Sequence, residues 1–254
     1  MKIEMEKLEE IVKTAGAMFM NRKSAGEISQ KGKADFVTAV DMQVQSYMQE
    51  RLKLEFPEIQ FMGEEKQNGN IDFSYPVWIL DPVDGTTNLI HDMRISVLSL
   101  ALWGGENIEQ GIIYRPYTEE FFYAEKGKGA FLNGEQIHVS TAKTIEEGLI
   151  AVGTSPYQKE CAKENFELFK NIFVQCEDIR CLGSAAFSLA CVASGRLDGY
   201  LERGLKPWDF AAGLLLVQEA GGEVTNYKGE NICAVEISDI VAGNGNIGWN
   251  ELVI

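Results

Sequence analysis

Residues 78–88 constrain this chain more than any other part of its sequence. They read Trp-Ile-Leu-Asp-Pro-Val-Asp-Gly-Thr-Thr-Asn, and the apolar run at residues 77–80 is typical of a buried strand. In an open sheet, such a strand delivers the residues at its carboxyl end to a ligand site, and the first of these is Asp81. Gly85 and Thr86 follow closely and can place backbone N–H groups against an anion.

Two carboxylates in this segment favour a metal site. Asp84 follows Asp81 by three residues, so both side chains can converge on one point. A turn that caps a helix is the simpler alternative, although a strand-terminal aspartate, a second aspartate and Gly-Thr-Thr all fall within seven residues. A haloacid-dehalogenase-type phosphatase is another alternative. Its aspartates are separated by one residue rather than two, so shared metal ligation is favoured here over a nucleophilic aspartate.

Two further acidic positions belong to the same hypothesis. Glu64, in Gly63-Glu64-Glu65, lies just upstream of the strand, where a solvated surface pair is the simpler interpretation. Asp209 lies at the mouth of a very apolar helix, where it could serve only to cap the helix and interact with its dipole. Spacing alone leaves both alternatives open.

The net charge limits the possible partners. The chain of 254 residues has 23 Lys and Arg against 38 Asp and Glu, which gives a net charge of −15. Such a negative protein repels phosphodiester backbones and anionic lipid headgroups, so we expect neither nucleic acid nor membrane as a partner. A small phosphorylated substrate would also be repelled, unless divalent cations reverse the charge locally.

The N-terminus and the cysteines predict a cytoplasmic protein. The N-terminal residues carry four glutamates and no basic segment followed by an apolar one, so they do not resemble a signal peptide. The longest apolar stretches are far shorter than the roughly 20 residues of a transmembrane helix. The five cysteines have no CxxC spacing, and free thiols in a reducing compartment are the simplest interpretation.

Hydrophobic spacing predicts a layered α+β or α/β fold. Apolar residues recur at helical spacing in residues 5–19 and 41–56, and a polar loop is expected at 24–34. Strands are predicted at 77–80, 97–103, 111–114 and 120–124, and helices at 185–194, ended by Gly195, and at 210–220, opened by Asp209. Helices interrupt the strands without a regular βαβ alternation.

The acidic motifs resemble the three signatures of the inositol monophosphatase family. They are Gly63-Glu64-Glu65, Asp81-Pro-Val-Asp-Gly-Thr-Thr-Asn88 and Trp208-Asp-Phe-Ala-Ala-Gly213, in the family's order and at its separations. Supporting stretches at 35–41, 127–134 and 183–186 extend the match over nearly the whole chain. The resemblance implies one catalytic unit, residues 1–254, with the sugar-phosphatase sandwich of alternating α-β-α-β-α layers. Its approximate halves are 1–140, with the metal motifs, and 141–254, which closes the site.

The resemblance also implies a set of Mg²⁺ ligands. A first ion is expected at Glu64, Asp81 and the carbonyl of Val83. A second is expected at Asp81, Asp84 and Asp209, and Glu64 would help to bind a weaker third. These hard oxygen ligands suit Mg²⁺, and two histidines are too few for a His-rich zinc site. The expected cofactor is therefore Mg²⁺, with two or three ions per site.

Catalytic and substrate-binding roles are implied in the same way. Glu64 and Thr86 would orient and help to deprotonate a nucleophilic water, with Asp41 hydrogen-bonded to Thr86, Asp84 in the catalytic set and no covalent intermediate. The substrate-binding set, which includes the phosphate-holding N–H groups of Gly85 and Thr86, is Asp84, Gly85, Thr86, Gly183, Ser184, Ala185, Glu202 and Asp209. Lys33 matches the lysine of a mobile loop that closes over the metals, although an exposed loop lysine is an almost equal alternative.

The phosphate ester itself is left open by the metal motifs. Inositol-1-phosphate-like monoesters rank first, because Glu202 can accept hydrogen bonds from ring hydroxyls but would repel a second phosphate. Fructose 1,6-bisphosphate and phosphoadenosine phosphate are the alternatives, since Arg180, Arg203 or Lys206 could receive a second phosphate. A catalytically idle regulatory module is disfavoured because the catalytic set is complete. The family also implies a homodimer.

Overall fold

The structure, a computed structural model, describes residues 3, 5–32, 35–65 and 68–248. Within these ranges, no helix has the length and apolar character needed to cross a membrane. The helices α1 to α7 are, in chain order, Met5–Gly16, Arg22–Ala25, Ala39–Glu55, Thr86–Ile90, Ala162–Phe173, Ala185–Ala193 and Pro207–Glu219.

The strands form a short hairpin and two larger sheets. The hairpin pairs β1 (Ile28–Gly32) with β2 (Asp35–Thr38). The seven-stranded sheet has the order β3 to β9, in which β3 and β4 are parallel and every later neighbour is antiparallel. Its strands are Gln60–Gly63, Val77–Asp84, Val97–Trp103, Ile108–Arg115, Glu120–Glu125, Gly129–Leu132 and Glu135–Ile137.

The second sheet has five strands in the order β11-β10-β12-β14-β13. Strand β10 runs parallel to both β11 and β12, and β14 runs antiparallel to β12 and β13. In chain order from β10 to β14, these strands are Leu149–Val152, Asp178–Arg180, Gly199–Leu205, Glu223–Thr225 and Ser238–Gly243.

Helices and sheets alternate in five layers, which confirms the predicted fold class. The first core packs α1 and α3 against one face of the seven-stranded sheet, where β4 contributes Trp78 and Leu80. The second packs α6 and α7 between the two sheets, against Val77 and Ile79 of the same strand. The third packs α5 on the outer face of the five-stranded sheet. Strand β4 is buried along its whole length because helices cover both of its faces.

The first helix after the hairpin begins two residues earlier than predicted. The hydroxyl of Thr38 accepts a hydrogen bond from the N–H of Val40, and the N–H of Thr38 donates to Asp41 at 2.9 Å. This reciprocal cap satisfies backbone donors at the helix start, so α3 begins at Ala39 rather than at Asp41.

Two other local predictions were wrong, and one was confirmed. The loop expected at 24–34 holds the end of α2 and strand β1, while Lys33 and residue 34 lie outside the described residues. Asp209 does not open α7. The helix begins at Pro207, whose ring suits a first helical position, and Asp209 lies in the first turn. Gly195 follows the end of α6 with φ of 68°, as predicted for a left-handed residue after a helix.

Candidate active site

A bulge in β4 brings Asp81 and Asp84 to one place. Residues three apart in a regular strand point to opposite faces of the sheet. Here Asp81 pairs with Ser99 and Asp84 pairs with Val97, so β4 has one more residue than β5 between these two pairs. A bulge of this kind redirects side chains, which allows both carboxylates to serve one site. They are almost fully buried, with Asp81 2% and Asp84 7% exposed.

The aspartates lie in a strongly unfavourable field. Burial raises the pKa of Asp81 well above its usual range, and the negative charges of Glu64, Asp84 and Asp209 raise it further. Burial likewise raises the pKa of Asp84 to about 7, although hydrogen bonds from Ser184 and the α6 backbone oppose this. The pKa of Asp209 is also well above its usual range, first through burial and then through Glu64 and Asp84.

This donor set fits a hard divalent cation. Buried carboxylates that raise one another's pKa are unstable as anions unless a positive charge lies among them. Among the described residues, no three His, Cys, Asp or Glu side chains lie close enough together to hold a metal ion as they stand, so the carboxylates would have to move closer around an ion. Their oxygen donors are those that Mg²⁺ prefers.

Asp84 also joins strand β4 to the start of helix α6. Its carboxylate accepts hydrogen bonds from the hydroxyl of Ser184 at 2.5 Å, from the N–H of Ala186 at 2.8 Å and from the N–H of Ala185 at 3.3 Å. These donors form the first turn of α6, where the helix dipole favours a negative charge. The sequence did not reveal this second role, because β4 and α6 are about a hundred residues apart.

We expect Asp84→Asn to leave the metal-free protein about 1–3 kcal/mol less stable than Asp81→Asn, besides any loss of activity, because both variants lose a buried charge but only Asp84 accepts hydrogen bonds from α6. An amide has one acceptor oxygen where the carboxylate has two, so its NH₂ group would face a donor of α6. Urea unfolding in EDTA measures the effect.

A matched control is Glu219→Gln. Glu219 accepts hydrogen bonds from the N–H groups of Gly127 and Gly129, at 2.7 and 2.8 Å, away from the site. This variant should lose stability but keep its activity. An Asp84→Asn protein as stable in EDTA as the Asp81→Asn protein would contradict the capping role.

The hydroxyl of Thr86 is held by α3. Its Oγ lies 2.9 Å from a carboxylate oxygen of Asp41 and 3.1 Å from the carbonyl of Val83. The predicted hydrogen bond between Asp41 and Thr86 is therefore present. The same carboxylate accepts from Thr38 at the start of α3, so a helix cap fixes its position. Burial raises the pKa of Asp41, and its hydrogen bonds partly offset this.

The loop that carries Glu64 is fixed by side chains that the sequence did not single out. Gln45, one helical turn beyond Asp41, accepts the N–H of Glu65 at 2.9 Å. The amide of Asn68 both donates to the carbonyl of Gly63 and accepts its N–H, each at 2.9 Å. A Cβ at Gly63 would lie 2.5 Å from the amide oxygen of Gln45, so a side chain there would displace the Gln45 amide. The sequence signal that could have identified Gln45 is its position four residues after Asp41 on the same helix.

The predicted substrate wall lies next to the same aspartates. Asn88 donates to the carbonyls of Leu182 and Gly183, at 2.8 and 3.1 Å, and so ties α4 to the segment before α6. Gly85 adopts φ of 90° and its missing side chain leaves room for Gly183, whose carbonyl would lie 3.1 Å from a Cβ. Glu202 lies close enough for its charge to raise the pKa of Asp84 and of Asp209.

The five cysteines are all free thiols, as predicted. Cys191 is buried in α6, and burial raises the pKa of its thiol to about 11. It is therefore an inert core residue rather than a nucleophile.

Comparison with known proteins agrees with the motifs. The model of the inositol monophosphatase family matches residues 3–253. The Nus factor SuhB of Escherichia coli K12 is 38% identical over 223 residues, which cover 88% of this chain and 83% of that protein. The inositol monophosphatase of Dictyostelium discoideum is 35% identical over 246 residues, which cover 94% of this chain and 89% of that one. The crystal structure of the extragenic suppressor protein suhB from Bartonella henselae superposes with a TM-score of 0.91 at 33% identity, covering 98% of this chain and 96% of that one.

Proposed function

Because this chain belongs to the inositol monophosphatase family and is a phosphoric monoester hydrolase, we propose that it hydrolyses a small polyol phosphate monoester of the inositol 1-phosphate type with two or three Mg²⁺ ions. The observation that carries the proposal is the acidic cluster of Asp81, Asp84 and Asp209, in which burial and the charges of Glu64 and Asp84 raise the pKa of Asp81 and of Asp209. A protein of net charge −15 would otherwise repel a phosphate ester.

The metal ligands that we propose are those that the family resemblance implies. Glu64, Asp81 and the carbonyl of Val83 would hold one ion, and Asp81, Asp84 and Asp209 another, with Glu64 also contributing to a third. When bound, such ions lower the pKa of a water and stabilise the charge on a departing oxygen in an in-line displacement.

The chain's own groups would orient the attacking water. The hydroxyl hydrogen of Thr86 points to Asp41 or to the Val83 carbonyl, which leaves the lone pairs of Oγ to accept a hydrogen bond from the water. Glu64 would accept the water's other hydrogen and help to remove a proton. The N–H groups of Gly85 and Thr86 would hold the phosphate. Because the water would attack the phosphorus atom directly, no covalent intermediate with the enzyme would form.

A monoester is favoured because the cations named for a second phosphate have other partners. The guanidinium of Arg203 donates to Asn165 at 2.8 Å and stacks on Tyr227 at 4.5 Å, on the α5 side of the five-stranded sheet. Arg180 pairs with Asp178 beside it in β11. Both arginines already have partners, which argues against fructose 1,6-bisphosphate.

Lys206 is the remaining candidate of that kind. Its ammonium lies 5.3 Å from the ring of Trp208 and 5.9 Å from that of Tyr157, where the aromatic faces attract a cation. It is the group through which phosphoadenosine phosphate or a bisphosphate could still bind, so these esters belong in the test. Gly183, Ser184, Ala185 and Glu202 would contact the polyol.

We also propose that the enzyme works as a homodimer in the cytoplasm, as the family resemblance suggests. Size-exclusion chromatography with light scattering measures the mass directly. A mass near 28.2 kDa would indicate a monomer and contradict this part of the proposal.

Phosphate release from three esters tests the function. Inositol 1-phosphate, fructose 1,6-bisphosphate and phosphoadenosine phosphate are compared with saturating Mg²⁺ and with EDTA. We expect release to require Mg²⁺, and kcat/KM for inositol 1-phosphate to exceed the others by about tenfold or more, since a site that accepts hydroxyl hydrogens discriminates strongly. Equal release in EDTA would refute the metal mechanism, and a preference for either other ester would refute the polyol assignment.

A further inference from the structure

The carboxylate of Glu202 is held from two directions. Its Oε2 accepts a hydrogen bond from the phenol of Tyr200 at 2.5 Å, and its Oε1 accepts one from the backbone N–H of Ser155 at 2.9 Å. Tyr200 and Glu202 are two residues apart on β12, so both side chains face the layer between the two sheets. Tyr200 is only 1% exposed, which leaves its hydroxyl little freedom to choose another partner.

The loop after β10 is shaped to receive this carboxylate. A Cβ at Gly153 would lie 2.0 Å from the Oε2 and the Cδ of Glu202, so the carboxylate rests directly on the glycine backbone. Ser155 has φ of 49°, an unfavourable conformation for a residue with a side chain. Its hydroxyl donates to the carbonyl of Arg203 at 3.0 Å, which fixes the loop to β12 and aims the Ser155 N–H at Glu202.

The held carboxylate keeps acceptor capacity for a ligand. An ionised carboxylate has about four lone-pair positions, and Tyr200 and Ser155 use two of them. The remaining positions accept hydrogen bonds but donate none, so they suit hydroxyl groups and repel anions. The charge of Glu202 reaches Asp84 and Asp209, so a substrate bound there would present its hydroxyls to Glu202.

We propose that Tyr200, Gly153 and the Ser155 backbone form a positioning unit that fixes Glu202 as the hydroxyl acceptor and so selects phosphate esters of polyols over esters without hydroxyls. This inference rests on the proposed function. Tyr200 does not touch the substrate. It acts through Glu202, so its removal affects selectivity rather than the chemical step.

Tyr200→Phe tests the unit with two substrates. For inositol 1-phosphate with saturating Mg²⁺, we expect KM to rise about tenfold with kcat within about twofold of the wild type, since a hydrogen bond to a charged group is lost. For phenyl phosphate, whose leaving group has no hydroxyls, kcat/KM should be unchanged. Equal losses on both substrates, or no loss on either, would overturn the proposal.

Gly153→Ala provides a second route to the same displacement. The new methyl group occupies the position of the carboxylate, so the variant should show the same selective rise in KM even if Tyr200→Phe folds poorly. An unchanged ratio of the two substrates' kcat/KM in Gly153→Ala would overturn the proposal.

Tyr114→Phe is the matched control. It removes a hydroxyl group from a tyrosine of the first core, on the α1 and α3 side of the seven-stranded sheet, and should leave the substrate ratio unchanged. A tenfold selective loss in this control would contradict the assignment of selectivity to Tyr200. Failure of the wild-type enzyme to hydrolyse either ester would instead refute the proposed function itself.

Discussion

Asp81→Asn is expected to reduce turnover by about 10³-fold or more while making the metal-free protein more stable. Asp81 is the ligand shared by two proposed ions, and such ions contribute several kcal/mol of transition-state stabilisation, where about 4 kcal/mol corresponds to 10³-fold. In the metal-free protein, the same carboxylate is buried beside Glu64, Asp84 and Asp209, which oppose its charge. Removing that charge should raise the free energy of unfolding by about 1–4 kcal/mol.

The asparagine keeps the local structure. The Oδ1 of Asp81 accepts the N–H of Val83 at 2.9 Å, and an amide oxygen can accept it equally well. Phosphate release and urea unfolding in EDTA measure the two effects, and Mg²⁺ should no longer stabilise the variant as it does the wild type. Asp198→Asn is the matched control. Asp198 accepts the N–H of Leu149 at 2.7 Å, and its substitution should leave activity and the response to Mg²⁺ unchanged.

A gain in stability is the decisive outcome for Asp81→Asn. An ordinary structural aspartate would lose stability on the same substitution, because its hydrogen bonds would weaken. A less stable variant that retains most of its activity would refute the assignment of Asp81 to the metal site.

The metal-free protein is expected to lose stability as the pH rises from about 5 to about 8, and Mg²⁺ is expected to restore it. A carboxyl whose pKa is raised by folding binds its proton more tightly in the folded state. Its contribution is therefore neutral below the unfolded value of 3.8 and becomes destabilising as the pH rises towards the folded value, which is about 7 for Asp84. Asp81 and Asp209 act in the same direction.

Each unit of pKa elevation corresponds to about 1.4 kcal/mol, so the combined effect is large. Glu120 acts in the opposite direction: its hydrogen bonds from Thr118 and Arg196 lower its pKa despite partial burial, so it loses stabilising power only in acid. The midpoint of thermal unfolding, followed across this pH range with EDTA and with Mg²⁺, measures the balance. A metal-free protein whose midpoint rises steadily to pH 8, or is unaffected by Mg²⁺ there, would contradict the raised pKa values.

The part of the site that could be predicted is the part encoded locally. Asp81, Asp84 and Thr86 lie within one short segment, so their chemistry was visible as a pattern. What that segment does beyond the site was not visible. The bulge that aligns its two aspartates depends on the pairing with β5, and the hydrogen bonds of Asp84 to α6 depend on how the layers stack.

The residues missed were those whose partners lie far away in the sequence. Gln45 resembled any polar residue of an amphipathic helix. Its hydrogen bond to the loop after Gly63 is visible only in the structure. Tyr200 resembled a core aromatic residue, which it also is. Only the structure shows that its hydroxyl donates to Glu202, which also accepts the N–H of Ser155. The helix boundaries were misplaced by one to three residues because caps decide them, as at Thr38 and Lys206.

The amino-acid sequence by itself determined the family, the class of fold and the acidic chemistry, because these depend on residue types at short spacing and on hydrophobic periodicity. Only the tertiary structure decided which way each side chain faces. On β12 the alternation of side chains turns Glu202 towards the aspartates and Arg203 towards α5, and this separates the proposed hydroxyl acceptor from a cation that is its neighbour in the sequence. Burial decided the rest, since carboxylates that would be ordinary acids in water become, between two packed sheets, groups that require a cation.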